Sequence, residues 1–549
     1  MPEITINGQP FPFEKGQTIL QVALANGIEI PHYCYHPGLS IPANCRICLA
    51  EVHAPNPRND NKLEAIPKLL PTCQTTAGDG QHVFTTTPKA VANQKAVMEY
   101  LLINHPVDCP VCDQAGECYL QDYSYEYGRS NSRFQEAKNK QPKKDVGDHV
   151  LLYSDRCIMC TRCVRFCREV TETNELIVDG RGSTAQIDIF PGNPVNNELS
   201  GNVIDICPVG ALLDKNFLFA QRVWFLKQAA SIDPLTASGD NIWVEHNDGR
   251  VYRIKPRTNL EVNTWWITDE VRYGCDFVHS DDRLTMPVIK GRGEFAPAQA
   301  RDAWLAALGA VKSRLDGVFA RNGSLAALIS PMLSCEDAYL LGRALLDIHS
   351  DIIFGVGPIP VEGEDKTFAD GFTLYAEKAP NARGVTRVLN KIAGSVLPYK
   401  KFLKKLPGTA AVILTGNYPS DWATDDLLTA IADAECVVLI DTLRSRLCER
   451  ADIILPAATF AEKAGTFENV NNRLQAFERA IEPIDYCKSE SQIGLDLAAM
   501  YQGVQPPRFN AAMTRRDMAD RHGLVVFAGD VHLPREESAA VSDMTMIEL

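Results

Sequence analysis

The 549-residue sequence lacks long apolar runs, since none reaches the roughly eighteen residues that a membrane-spanning helix needs. It also contains no G-x-G-x-x-G dinucleotide fingerprint and no P-loop. Excess positive charge is also lacking, with 55 Lys and Arg against 69 Asp and Glu, and the formal net charge of −14 argues against nucleic acid or an anionic membrane surface as the main partner. The opening residues, MPEITINGQP, are typical of neither a secretory signal nor a transit peptide. These absences predict a cytosolic chain, or one already processed.

Cysteine, in contrast, is abundant and unevenly distributed. Twelve of the 17 cysteines come before residue 208, mostly in C-x2-C pairs, and five are scattered singly after it. Disulfides rarely persist in a reducing compartment, so clustered cysteines in such a chain indicate metal ligands. The length predicts three to five domains.

The stretch Asn104–Cys118, NHPVDCPVCDQAGEC, offers one imidazole and three thiols in one short turn-rich segment. Its candidate ligands are His105, Cys109, Cys112 and Cys118. Soft and borderline donors of this kind suit zinc or an iron–sulfur cluster better than a hard cation. Taken alone, the segment leaves a structural zinc site open.

A second set lies upstream, after a predicted hairpin and a helix that Thr18 is expected to cap. It has the spacing Cys-x10-Cys-x2-Cys-x24-Cys and comprises Cys34, Cys45, Cys48 and Cys73. This spacing is similar to that of a plant-type [2Fe–2S] ferredoxin with a lengthened first gap. A Rieske centre is disfavoured because the pair Cys45–Cys48 contains no histidine.

The third set begins with CIMCTRCVRFC, which is the cysteine run of bacterial ferredoxins. In two-cluster ferredoxins a proline follows the fourth cysteine, but here Arg168 follows Cys167, and the Cys-Pro pair comes later, at Cys207. We therefore predict one [4Fe–4S] cluster on Cys157, Cys160, Cys163 and Cys207. The alternative is that Cys167 serves as the fourth ligand.

The remainder of the chain differs in character. Residues 232–267 are predicted to be rich in strands, and from about 300 onward helices alternate with buried strands, such as Leu325–Ile329 and Cys436–Ile440. This alternation predicts a doubly wound α/β domain with a parallel sheet. The last fifty residues are polar and weakly periodic, which predicts a loosely ordered tail or a partner-binding extension.

Three four-ligand sites in this order make the chain similar to the large iron–sulfur subunit of respiratory complex I, of the bacterial type. The resemblance is carried by IPHYCYHPGLSIPANCRICLAEV, NHPVDCPVCDQAGECYLQD and SDRCIMCTRCVRFCREV, and it continues at SIDPLTASGDNIWV and ADIILPAATFAEKAGTFENVNNRLQAF. It implies one [2Fe–2S] and two [4Fe–4S] clusters, with no molybdenum cofactor in a vestigial molybdopterin-oxidoreductase-like domain. It also implies that the chain carries electrons from an NADH-oxidising flavin subunit towards quinone, without a catalytic site of its own.

The expected architecture is multidomain, α+β and α/β. We predict a [2Fe–2S] ferredoxin-type (β-grasp) domain at 1–87, a [4Fe–4S] domain with one His and three Cys ligands at 88–145, a ferredoxin-like [4Fe–4S] domain at 146–225, a small strand-rich part at 226–290, the α/β domain at 291–502 and a tail at 503–549. The resemblance also implies partner subunits of a peripheral arm on the cytoplasmic side of the inner (plasma) membrane. These are the flavin subunit, a small [2Fe–2S] subunit, a two-cluster ferredoxin-like subunit and the quinone-site subunits, with no nucleic acid.

Two departures from the family pattern have consequences. Some members hold a fourth cluster at the start of the α/β half, but Gln228–Pro234 contains no cysteine, so that cluster is expected to be absent. The chain is also shorter at its C-terminus than many members, which predicts a reduced closing part of the α/β domain.

Other classes share the N-terminal modules. An iron-only hydrogenase would need further cysteine motifs, yet Cys275, Cys335, Cys436, Cys448 and Cys487 lie far apart and are expected to be buried small hydrophobes. The alternative function is a diaphorase-type iron–sulfur subunit of an NAD-linked hydrogenase or formate dehydrogenase. A zinc scaffold without enzymatic function is the third class.

Overall fold

The structure is a computed structural model that describes residues 1–291 and 300–534. The chain divides into two compact units, the first spanning Met1–Leu226 with Phe368–Gly371 and the second spanning Lys227–Thr367 and the residues from Phe372 onward. Among the described residues, no helix has both the length and the apolar character that crossing a bilayer requires.

The first unit contains short strands and helices joined by long loops. Its strands are β1 (Glu3–Ile6), β2 (Gln9–Pro12), β3 (Leu49–Asn56), β4 (Lys62–Ala65), β5 (Leu70–Pro71), β6 (His82–Phe84), β7 (Lys143–Asp145), β8 (Val150–Tyr153), β9 (Leu176–Asp179), β10 (Gln186–Ile189) and β11 (Leu212–Asp214). Its helices are α1 (Ile19–Ala25), α2 (Pro88–Leu102), α3 (Tyr119–Glu126), α4 (Arg162–Glu169) and α5 (Asn202–Ile206).

The N-terminal part of this unit is a mixed sheet with one helix packed against it. The sheet order is β2-β1-β6-β3-β4, with β5 paired to β3, and β1 runs parallel to β6. The predicted hairpin and helix are both present, and Thr18 caps α1 in a capping box with Gln21. Apolar residues of the sheet and of α1 form a buried core on which the loops with the first cysteine set rest.

The second unit begins with an antiparallel three-stranded sheet and continues as an α/β domain. Its strands are β12 (Lys227–Ile232), β13 (Asn241–Asn247), β14 (Arg250–Pro256), β15 (Val288–Ile289), β16 (Leu325–Ile329), β17 (Ile353–Val356), β18 (Lys366–Thr367), β19 (Thr373–Leu374), β20 (Leu397–Pro398), β21 (Ala411–Thr415), β22 (Cys436–Asp441), β23 (Ile453–Pro456), β24 (Gly465–Glu468) and β25 (Leu474–Phe477). Its helices are α6 (Asp269–Tyr273), α7 (Ala300–Phe319), α8 (Cys335–Ile348), α9 (Ala382–Ala393), α10 (Tyr399–Leu403), α11 (Asp425–Ala430), α12 (Leu447–Arg450), α13 (Glu490–Gln502), α14 (Ala511–His522) and α15 (Val526–Gly529).

The large sheet of this unit has the order β15-β23-β22-β21-β16-β17-β20. All neighbouring pairs are parallel except β15 with β23. Its central strands are buried along their whole length, as expected for parallel strands covered on both faces. The predicted fold class, with a parallel α/β domain after a strand-rich segment, is confirmed.

The C-terminal segment differs from the expected loose tail. Helix α14 and helix α15 are both present, and Met518, Leu524 and Phe527 belong to the core of the α/β domain. Polar anchors add to this burial, because the Asp517 carboxylate accepts a hydrogen bond from the hydroxyl of Tyr339 at 2.8 Å. The prediction of a loosely ordered tail was therefore wrong for 511–529. The helices could not be recognised in the sequence because their few apolar residues are too widely spaced to give a clear helical pattern. Residues 535–549 lie outside the described part of the chain.

Candidate iron–sulfur sites

The first cysteine set is gathered on loops at one end of the N-terminal sheet. Cys34, Cys48 and Cys73 are 2% exposed or less, and Cys45 is partly buried. The sulfurs of Cys34 and Cys45 are 3.4 Å apart. The structure therefore brings together the four thiols that the spacing singled out.

Backbone amides point at these sulfurs. Hydrogen bonds with the thiols of Cys45 and Cys73 lower the pKa of Cys34, and the backbone N–H groups of Cys45 and Asn44, which donate to its sulfur, lower it further, while burial acts against them. The loop bends around the sulfurs through residues with positive φ, at Ala43 (49°) and Arg46 (59°). Amide donors of this kind stabilise thiolates that are bound to a cluster.

The second set lies between the end of α2 and the start of α3. Cys109 begins a 3-10 turn, and Cys118 is the residue that precedes α3. The thiol of Cys112 interacts electrostatically with Cys109 and Cys118. His105 lies on the same loop, and the charges of Asp108 and Arg156 act on both its imidazole and the thiol of Cys112.

The protonation state of His105 is suited to ligation. The pKa of His105 is lowered to about 4, mainly by burial. Asp108 acts in the opposite direction, and the positive charges of Arg156 and Lys138 add to the lowering. The imidazole is therefore neutral at pH 7, which is the form that binds metal.

The third set surrounds a small cavity. The residues that line it include Leu152, Ile187 and all four predicted ligands, Cys157, Cys160, Cys163 and Cys207. The sulfur of Cys157 accepts a hydrogen bond from the amide of Met159 at 3.3 Å. Cys207 receives further amide donors from Val209, Ala211 and Leu212.

Cys167 does not line this cavity. Its thiol is completely buried, and burial next to the carboxylate of Glu175, to which it donates a hydrogen bond, raises its pKa to about 12. The residue lies one turn after Cys163 on α4, and its sulfur accepts a hydrogen bond from the amide of Leu176 at the start of β9. This placement favours Cys207 over Cys167 as the fourth ligand.

The second and third sites are neighbours within the first unit. The loop after Cys207 packs against the second site so closely that a Cβ on Gly210 would lie 2.3 Å from the sulfur of Cys112. The amide of Tyr119, next to Cys118, donates to the carbonyl of Pro208 at 3.0 Å. Position 210 therefore requires glycine, because any larger residue would prevent the backbone of the third site from approaching the Cys112 sulfur of the second site.

The buried thiols fit a metal cluster chemically. Burial raises the pKa of Cys118 and of Cys160 to about 11. These sulfurs therefore become thiolates at neutral pH only when a metal displaces their protons. Four thiols in an apolar cavity with amide donors are the environment that an iron–sulfur cluster requires.

Among residues 1–291 and 300–534, no three His, Cys, Asp or Glu side chains already have the geometry that holds a single metal ion. The zinc and cluster alternatives are therefore separated by metal and sulfide analysis.

The late cysteines are free and at least partly buried, as predicted. Cys275, Cys335, Cys436 and Cys487 are buried and Cys448 is partly buried. Burial raises the pKa of each, so they remain neutral thiols at pH 7.

Sequence reasoning missed three buried arginines that contact the cluster loops. Arg156 is 2% exposed, and its Nε donates to Asp108, beside Cys109, at 3.0 Å. Arg162 and Arg165 on α4 contact the first and third sites. Their signal in the sequence was their position, with Arg162 and Arg165 inside the third cysteine run and Arg156 directly before it, although a solvent-exposed face was equally compatible with the pattern.

Family models match the chain in the same order as the three cysteine sets and the α/β domain. Family models match as "2Fe-2S iron-sulfur cluster binding domain" at 2–88, "NADH-ubiquinone oxidoreductase-G iron-sulfur binding region" at 94–133, "NADH-quinone oxidoreductase subunit 3, ferredoxin-like domain" at 147–213, "NADH-ubiquinone oxidoreductase NDSU1/NuoG-like, 4Fe-4S domain" at 226–276 and "Molybdopterin oxidoreductase" at 377–500.

Relatives are found among mitochondrial and bacterial proteins. The chain is 37% identical to the NADH-ubiquinone oxidoreductase 75 kDa subunit of Reclinomonas americana, over 70% of this chain and 54% of that protein. It is 36% identical to an NADH-quinone oxidoreductase subunit of Rickettsia felis, over 64% of this chain and 50% of the relative. The mitochondrial 78 kDa subunit of Candida albicans is 39% identical, over 61% and 44%. The chain thus spans about half the length of these relatives.

A chain of a solved NAD+-reducing [NiFe]-hydrogenase also matches, with 27% identity and a TM-score of 0.35 over 40% of this chain and 91% of that chain. This similarity is too low to define the overall fold.

The modules and their order define a class, a multidomain iron–sulfur protein with a molybdopterin-oxidoreductase-like α/β domain. Within that class, the matching family models and the named relatives make the chain similar to the large iron–sulfur subunit of NADH-quinone oxidoreductase, a group that includes the mitochondrial 75 and 78 kDa subunits.

Proposed function

We propose that the first unit holds three clusters. The [2Fe–2S] cluster is assigned to Cys34, Cys45, Cys48 and Cys73, one [4Fe–4S] cluster to His105, Cys109, Cys112 and Cys118, and the other to Cys157, Cys160, Cys163 and Cys207. The strongest support for this proposal is the cavity that Cys207 shares with the three cysteines of the bacterial-ferredoxin run. It joins residues far apart in sequence at a single site.

On this assignment the chain is an electron-transfer subunit of an NADH:quinone oxidoreductase. Bound clusters would supply one-electron carriers, and outer-sphere electron transfer needs no general acid, base or nucleophile. The residues around them bury the sulfurs, donate amide hydrogen bonds and fix the spacing of the sites. The names of the relatives support this function.

The partners follow from the same proposal. The chain would receive electrons from an NADH-oxidising flavin subunit and pass them to a further iron–sulfur subunit on the way to quinone. It would lie in the peripheral arm of the complex, on the cytoplasmic side of the membrane.

We propose that the second unit binds no molybdenum or tungsten and stabilises the assembly instead. Several polar groups of Gly465–Gln475 bind protein partners. The hydroxyl and amide of Thr466 both donate to the buried carboxylate of Glu336 at 2.8 Å, and Gln475 donates to the carbonyl of Gly239 at 2.8 Å. Satisfied groups of this kind keep a fold intact without a ligand.

The test of this function is reduction of the clusters in the assembled complex. Under anaerobic conditions, NADH is expected to reduce the iron–sulfur signals of the chain, and added quinone to reoxidise them. Hydrogen and formate serve as matched control reductants. Signals that respond to hydrogen or formate and not to NADH with quinone would contradict the proposal and favour a hydrogenase or formate dehydrogenase subunit.

His105 provides a separate prediction. We expect His105→Ala to alter or abolish one low-temperature EPR signal and to leave the other centres intact, since only the second site loses a ligand. His149→Ala is the control, because it removes an imidazole from the same unit outside every cysteine set. Unchanged spectra in His105→Ala would show that His105 is not a ligand.

A further inference from the structure

Two buried guanidinium groups contact both the first and the third cysteine set. Arg162 and Arg165 lie on α4 on either side of Cys163, and they are only 5% and 3% exposed. Neither forms an ion pair with a carboxylate among the described residues, and Glu169 adds only a longer-range attraction to Arg165. A buried charge is costly unless something opposite in sign or strongly dipolar compensates it.

The hydrogen bonds of Arg165 span the two sites. Its Nη2 donates to the carbonyl oxygen of Cys34 at 2.6 Å and makes a longer contact, 3.4 Å, with that of Cys160. Its Nη1 donates to the carbonyl of Ser40. One side chain thus holds the backbone at a ligand of each site.

Arg162 repeats this arrangement one turn earlier. Its Nη2 donates at 2.5 Å to the carbonyl of Tyr35, which follows Cys34, and its Nη1 donates at 3.1 Å to that of Ile206, which precedes Cys207. More exposed contacts surround the pair, including a 3.2 Å hydrogen bond from Asn44 to the carbonyl of Met159. The two arginines are therefore the buried centre of the contact between the two sites.

We propose that Arg162 and Arg165 are positioning residues that hold the first and third clusters together and raise the reduction potentials of both. The proposal rests on the cluster assignment above. Thiolate-ligated clusters are anionic and become more so on reduction, so a nearby cation in a low-dielectric environment stabilises the reduced form. The negative charge of the clusters also explains why neither arginine forms an ion pair with a carboxylate.

The test compares three variants of the full chain by redox titration with EPR detection. Arg165→Gln removes the charge, and Arg165→Lys keeps the charge but loses the planar fork. Arg168→Gln removes a charge from the same helix at a side chain that is 59% exposed and paired with Glu169 at 2.9 Å. The second centre, ligated by His105 and its cysteines, is the internal reference.

We expect Arg165→Gln to shift the midpoint potentials of the first and third centres to more negative values together, with a smaller shift of the second centre. Arg165→Lys should retain most of both potentials, and Arg168→Gln should match the wild type. If Arg165→Gln lost both centres while Arg165→Lys kept them, the requirement for charge would again be supported. Wild-type potentials in Arg165→Gln, or loss of both centres in both variants, would overturn the proposal. A wild-type chain without these signals would instead overturn the cluster assignment.

Discussion

Replacing Cys207 with serine is expected to abolish or convert one [4Fe–4S] cluster, with loss of up to about four irons per chain. Cys207 lines the cavity with Cys157, Cys160 and Cys163, and its sulfur receives amide hydrogen bonds from the loop that follows it. Serine preserves the shape of the side chain but replaces a soft thiolate donor with a poorly suited hydroxyl. Low-temperature EPR together with iron analysis measures the effect.

Cys167→Ser is the matched control, since it makes the same change in a buried cysteine of the same unit. Its hydroxyl can still donate to Glu175, as the thiol does. We expect all three EPR signals to survive. Loss of a cluster in Cys167→Ser with full retention in Cys207→Ser would show that the bacterial-ferredoxin run alone supplies the ligands.

The second large effect is expected in the α/β domain, at Lys463. This side chain is 3% exposed, and its ammonium lies 2.6 Å from the Glu490 carboxylate and 2.9 Å from that of Asp337. Both carboxylates are completely buried. Lys463→Met would remove the cation that both buried carboxylates face, which is expected to destabilise the domain by about 3–5 kcal/mol.

Chemical unfolding followed by tryptophan fluorescence measures this loss, because five of the six tryptophans belong to the second unit. Combining Lys463→Met with Glu490→Gln removes one of the two carboxylates that would lose the Lys463 cation, and it should recover part of the stability. Lys312→Met is the control for an exposed ion pair, with Asp316, and should change the stability by less than about 1 kcal/mol. Equal effects of Lys463→Met and Lys312→Met would contradict this account of the buried charges.

Much of the site could be predicted because ligand spacing is a local property of the sequence. The C-x2-C pairs and the His-x3-Cys segment each place their donors on one short loop, and a Cys-Pro pair indicated Cys207 as the distant member of the third set. The hairpin, the capped helix α1 and the buried strands of the α/β domain were predicted for the same reason, since each depends on a short pattern of residues.

What could not be predicted depends on tertiary contacts. Arg162 and Arg165 become bridging residues only when the loops around Cys34 and Cys207 are brought to α4. Gly210 is constrained by a sulfur from a different segment. Helix α14 is stabilised by a few widely spaced apolar residues and by polar anchors on α8, such as Tyr339, so its sequence is polar and only weakly amphipathic.

Elemental analysis of the anaerobically purified protein tests the central claim most directly. One [2Fe–2S] and two [4Fe–4S] clusters predict about ten irons and about ten acid-labile sulfides per chain, with no stoichiometric zinc, molybdenum or tungsten. Stoichiometric zinc with negligible sulfide would contradict the cluster assignment, and stoichiometric molybdenum or tungsten would contradict the proposed role of the second unit.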